Sequence, residues 1–213
     1  MLSLIVREIR DNIVSVALPC LVSAMGITLA VIVAFSGVKG GIVAFTGPFI
    51  TILLLAFCGL GASQAYGDRA NRISSLLATL GVTRNRIFAA RVLAGLLTVL
   101  VALVPLIVTT ILLLWMFVPP LEFYGRMVVE ISLTALLAAV ACYGAGLLVG
   151  WTTSKAWLAG SVLLLLPLVS LVAIKGFGPE AMAILLLVIG ATLWYAWHTF
   201  TSASLMSFDE QLR

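Results

Sequence analysis

The chain has 213 residues, of which 63% are hydrophobic and only 9% charged, with a mean hydropathy of +1.25. Water-soluble domains carry about 25% charged residues, so this composition excludes a soluble fold and reads as one all-α integral membrane domain covering residues 1–213. The net charge of +4 comes from basic residues set between apolar runs, which points to membrane orientation and away from nucleic acid.

In "MLSLIVREIRDNI", Leu2, Ile5, Val6, Ile9 and Ile13 recur at helical spacing, with Arg7, Glu8, Arg10 and Asp11 on the other faces. This pattern predicts an N-terminal helix lying in the membrane interface, not a cleaved signal, because the next apolar run is too long for a signal core. About 20 apolar residues cross a bilayer as a helix. Charge-free runs predict six spans: Ile13–Phe35, Ile42–Gln64, Val92–Val118, Met127–Trp151, Trp157–Ile174 and Ala181–Phe200. The connections are short, with turn chemistry in "SGVKGG", "PPLEFYGR" and "KGFGPE". Pro19, Pro105 and Pro167 fall inside predicted spans and predict kinks.

Cytoplasmic loops of membrane proteins are enriched in Lys and Arg. With the N-terminus inside, the inner segments hold Arg7, Arg10, Arg69, Arg72, Arg84, Arg86, Arg91, Lys155 and Arg213, and the outer loops only Lys39, Arg126 and Lys175. Both termini are therefore expected in the cytoplasm, in a multi-pass protein of the cytoplasmic (inner) membrane. Trp151, Trp157, Trp194, Tyr195 and Trp197 lie near the predicted inner ends of spans, where amphipathic rings favour the headgroup level.

The second inner segment concentrates the charge. Arg69, Arg72, Arg84, Arg86 and Arg91 flank "ISSLLATLGVT", in which Ile73, Leu76, Leu77 and Leu80 follow the i, i+3, i+4, i+7 spacing of one helix face. Gly81 can end that short helix in a left-handed conformation, and Thr83 can cap the next. At the outer end, Arg126 and Glu130 stand four residues apart, as an interfacial pair or a candidate outer gate. Gly146 and Gly150 form a G-x-x-x-G, which permits close approach of helix backbones.

Covalent chemistry finds no support. The chain lacks a G-x-x-x-x-G-K-[ST] phosphate loop, and its one histidine, His198, lies among aromatics at a membrane edge. No predicted span carries a charge at its middle, which counts against a proton-coupled carrier. Cys20, Cys58 and Cys142 fall in apolar runs without C-x-x-C spacing and read as small buried residues, not as a disulfide framework or metal site. The chain is thus expected not to be an enzyme and to bind neither metal nor cofactor.

The stretch "SSLLATLGVTRNRIFAARVLAGLL" resembles the cytoplasmic loop of ATP-binding-cassette transporter permeases of the type-2, exporter-like family. Leu76 and Leu77 match the family's paired leucines, Val82-Thr83-Arg84 its Val-Ser-Arg step, Ile87 its apolar anchor and Arg91 its closing base. Two positions depart from the pattern: "RANRIS" replaces an acidic-Gly-Thr-Leu-acidic segment, and Gly81 stands where the family has proline. The resemblance extends more loosely to the interfacial N-terminal helix, the six spans and the short polar C-terminal tail. It implies that Arg69, Arg72, Ile73, Leu76, Leu77, Leu80, Gly81, Thr83, Arg84, Arg86 and Arg91 form a coupling helix and its flanks, docking into a separate ATPase subunit. It further implies that ATP and Mg are held by that partner, that two permeases pair as a homo- or heterodimer, and that the substrate is exported. A haem-exporter-type permease is a close variant of this reading. A non-catalytic membrane scaffold or assembly factor is the alternative from another class, because it needs no chemistry.

Overall fold

The computed structural model describes residues 13–36, 41–71, 84–117, 124–151 and 179–209. They form five helices: α1 (Ile13–Phe35), α2 (Gly41–Asn71), α3 (Arg84–Phe117), α4 (Tyr124–Trp151) and α5 (Pro179–Asp209). All five are long and apolar enough to cross a membrane, which makes this an all-helical, multi-pass membrane protein. The predicted interfacial helix, the span Trp157–Ile174 with its Pro167, and the segment from Arg72 to Thr83 lie outside the described residues.

Local signals account for several helix ends. Pro179 opens α5, where a missing N–H costs nothing, and Glu180 complements the positive end of the helix dipole. Ser36 closes α1 by donating its N–H to the Ile32 carbonyl at 2.9 Å. Pro19 and Pro105 are accommodated within continuous helices. Hydroxyls inside the bilayer must find acceptors without water. Thr98, Thr109, Thr110, Thr134 and Thr192 do so by donating to the carbonyl four residues earlier in their own helices, at 2.7–2.9 Å. The donors of these hydroxyls are thus satisfied within their own helices. Ser23 instead reaches across from α1 to the Ala102 carbonyl of α3.

α4 is the central helix, packed against α2 and α5, while α1 packs on α3 and α2. The core runs through Leu53, Phe57, Leu60, Val99, Tyr143 and Leu147. Outside it, α1 exposes Leu18, Leu21, Met25, Leu29 and Ile32, and α3 exposes Leu93, Leu97, Leu100, Val104 and Val108. Stripes of that size would drive aggregation in water and suit contact with acyl chains.

Glycines set the α2–α4 contact. A Cβ on Gly146 would overlap the Cys58 carbonyl, one on Gly150 would come within 2.6 Å of the Ala62 oxygen, and one on Gly61 would overlap the Tyr143 carbonyl. The two backbones therefore touch directly, the geometry that the Gly146/Gly150 spacing allows. Facing pairs advance together, Cys58 with Gly146 and Ala62 with Gly150, so α2 and α4 run parallel. Gly95 of α3 lies against Tyr143, and only residues 118–123 join α3 to α4, so those two run antiparallel. α5 places Thr192 against Gly144 and its later turns against the start of α3, which aligns it parallel to α4. At 1.5 Å per residue, Trp151 and Pro179 then stand about 30 Å apart along the helix axes.

Candidate functional site

The arginine segment is bracketed by the end of α2 and the start of α3. Sequence hydropathy ends the second span at Gln64 and starts the third at Val92, yet α2 continues to Asn71 and α3 begins at Arg84. Each helix thus carries about two further turns beyond the purely apolar run. Arg69 lies in the last turns of α2, and Arg84 opens α3. Arg72, Ile73, Leu76, Leu77, Leu80, Gly81 and Thr83 lie outside the described residues.

The two remaining arginines part company. Arg86 is exposed, whereas Arg91 is only 1% exposed. Five residues separate them, which is about 140° around the helix, so one faces outward and the other into the bundle. Arg91 was grouped by sequence with the docking residues. Its burial turns it into the bundle, away from the exposed side that carries Arg86.

Around Arg91 lies a polar node that sequence reading did not assemble. Tyr143 of α4 is fully buried; its hydroxyl donates to Gln64 Oε1 of α2 at 2.9 Å and stands 3.3 Å from the Arg91 carbonyl of α3. The Tyr143 ring fills the space that a side chain on Gly95 would take. Three helices meet at one hydroxyl. The available signal was a lone Tyr and a lone Gln in apolar runs, because such groups must pair inside a membrane. Which runs face each other was not written in the spacing.

A second group ties α5 to the foot of α3. Trp197 Nε1 donates to Asn85 Oδ1 at 3.4 Å, and the Phe88 and Phe200 rings lie 5.6 Å apart at 38°. Trp194 and Trp197 also lie 5.6 Å apart, and Trp194 is exposed. The foot of α3 is therefore held from one side by α4 and from another by α5.

The candidate outer pair lies at the opposite end of α4. Glu130 is half-exposed, about 20 Å along the axis from Tyr143, and its carbonyl accepts from Thr134. The side chain of Arg126 lies outside the described residues. No group of three or more His, Cys, Asp or Glu that could hold a metal occurs among the described residues. No protein-family model, curated protein or solved structure matches the chain.

Proposed function

We propose that this chain is the membrane-spanning permease subunit of an ATP-binding-cassette transporter, working in pairs and driven by separate ATPase subunits that dock on the arginine segment. The observation that carries this reading is the pairing of sequence and geometry at one place. A segment with an apolar helical stripe, flanked by arginines and resembling a coupling loop, joins two helices that project past their apolar runs. An apolar stripe needs a groove, and flanking arginines steer a partner with acidic edges. α3 runs without a break from Arg84 to Phe117, 34 residues or about 51 Å, so displacement of its foot is carried through the bilayer core. Nucleotide and Mg belong to the partner in this scheme, and the permease contributes the path and the lever. The substrate leaves through the space between two permease copies.

A sixth span completes the scheme. α4 and α5 run parallel, and Trp151 and Pro179 are separated by about the thickness of the bilayer core. The 27 residues between them are enough to recross it as a helix, and the apolar run Trp157–Ile174 supplies the length. With an even number of crossings both termini share one side, and the nine-to-three distribution of basic residues assigns that side to the cytoplasm. Single cysteines at Ser74 and Lys175, in a background lacking Cys20, Cys58 and Cys142, are expected to react with impermeant thiol reagents from opposite sides. Reaction of both from outside would reject this arrangement.

The test of function is capture and turnover. The tagged chain, extracted from its own membranes in mild detergent, is expected to bring down a phosphate-loop ATPase identifiable by mass spectrometry. In lipid, hydrolysis by that complex should respond to a transported compound. Recovery of the intact chain with no such ATPase would remove the permease reading and leave a scaffold.

A further inference from the structure

The exposed apolar stripes of α1 and α3 are explained by lipid, and the aromatic contact of α5 with α3 is packing. The polar node goes further. We propose that Tyr143 is a positioning residue, whose single hydroxyl proton serves acceptors on two helices and so sets the spacing of the feet of α2 and α3.

The geometry has three parts. First, the node lies at matched depth: Gln64 is seven residues before the end of α2 and Arg91 seven after the start of α3. Second, α2 and α3 touch each other little directly, so their separation is set through the helices that pack on both, α1 and, at the node, α4. Third, the hydroxyl has one proton and two acceptors within reach, 2.9 Å away on α2 and 3.3 Å away on α3. The Arg91 carbonyl keeps a lone pair beyond its own helical bond.

A buried hydroxyl without a partner is unfavourable, so a node with one acceptor would resist any shift that broke it. With two acceptors the Tyr143 hydroxyl swings its hydrogen bond from Gln64 Oε1 to the Arg91 carbonyl as α2 and α4 move against α3. The hydroxyl is partnered at both ends of that movement. Gly95 makes the exchange possible, because the ring slides over bare backbone where any side chain would block it. The node is thus a latch with two positions. Its use in transport rests on the permease reading above; the latch itself does not.

The test uses the full chain alone in nanodiscs, without ATPase or nucleotide, so that failure here and failure of the permease reading are separable. Spin labels go on cysteines replacing Tyr66 and Arg86, both exposed, in a background lacking the native cysteines. Dipolar spectroscopy then reads the spread of distances between the two feet. Tyr143→Phe keeps the ring and removes the proton, and is expected to broaden the distribution about twofold as both arrangements lose their bond. Gln64→Leu leaves the Arg91 carbonyl as acceptor and should shift the distribution toward that one arrangement without broadening it, and the double variant should match Tyr143→Phe, because without the hydroxyl Gln64 has nothing to hold. An unchanged width in Tyr143→Phe would overturn the proposal, even with a lowered melting temperature. So would effects that add in the double variant.

Discussion

Replacing Gly146 with leucine is expected to pull α2 away from α4 and to abolish the stable bundle. The new side chain would begin inside the Cys58 carbonyl, a backbone atom that cannot swing aside as a flexible side chain would. Relief requires the helices to separate along their whole contact, which also opens the fits at Gly150 and Gly61. Overpacking costs about 1–3 kcal/mol where side chains can adjust, and here they cannot, so a loss of about 3 kcal/mol or more is expected. Gly59→Leu is the control, since a Cβ at Gly59 meets nothing within 4 Å. Thermal denaturation in detergent should show a large fall for Gly146→Leu and little change for Gly59→Leu. Equal melting of the two would mean that the α2–α4 contact does not organise the fold.

The second large effect concerns the proposed ATPase partner. Leu77 lies in the middle of the apolar stripe formed by Ile73, Leu76, Leu77 and Leu80. If that stripe fills a groove on an ATPase, Leu77→Asp buries a carboxylate with no partner there. Desolvating an unpaired polar group costs at least about 3 kcal/mol, which converts to about a hundredfold loss of affinity. The ATPase should be lost on purification while the chain remains inserted and labels at Ser74 as before. Arg86→Ala should weaken capture less and in a salt-dependent way, because an exposed charge contributes mainly to steering. Undiminished capture by Leu77→Asp would move the docking surface elsewhere.

For the five described helices, hydropathy located the apolar runs well and the helix ends less well. Ile13–Phe35 was read from the sequence with the bounds that the structure gives α1. α2 and α3 outrun their apolar stretches because hydropathy reports contact with lipid, whereas a helix continues wherever its backbone bonds are satisfied. Arg91 shows the same limit from the other side. Its charge suggested a surface, but its place on the helix, about 140° from Arg86, turned it inward. The spacing of Gly146 and Gly150 was legible as a site of close approach. Its counterparts, Cys58, Ala62 and Gly61, were not, since a periodic pattern gives a face and never the neighbour that covers it. Tyr143 escaped for that reason too: a hydroxyl 79 residues from its acceptor leaves no local trace.

Among the described helices, α2 and α4 meet backbone to backbone, with α3 intervening in the chain. During synthesis α2 must therefore enter the membrane and wait, its glycine face covered only by lipid, until residue 150 has emerged from the ribosome and α4 has inserted. α1, α2 and α3 can pack on one another in order of appearance, but the α2–α4 contact cannot form then. It is a late event that follows insertion, and until then the exposed groove on α2 is open to other small-residue helices. Quality control of nascent chains has that interval in which to act, and a chain truncated before Gly146 would never leave it.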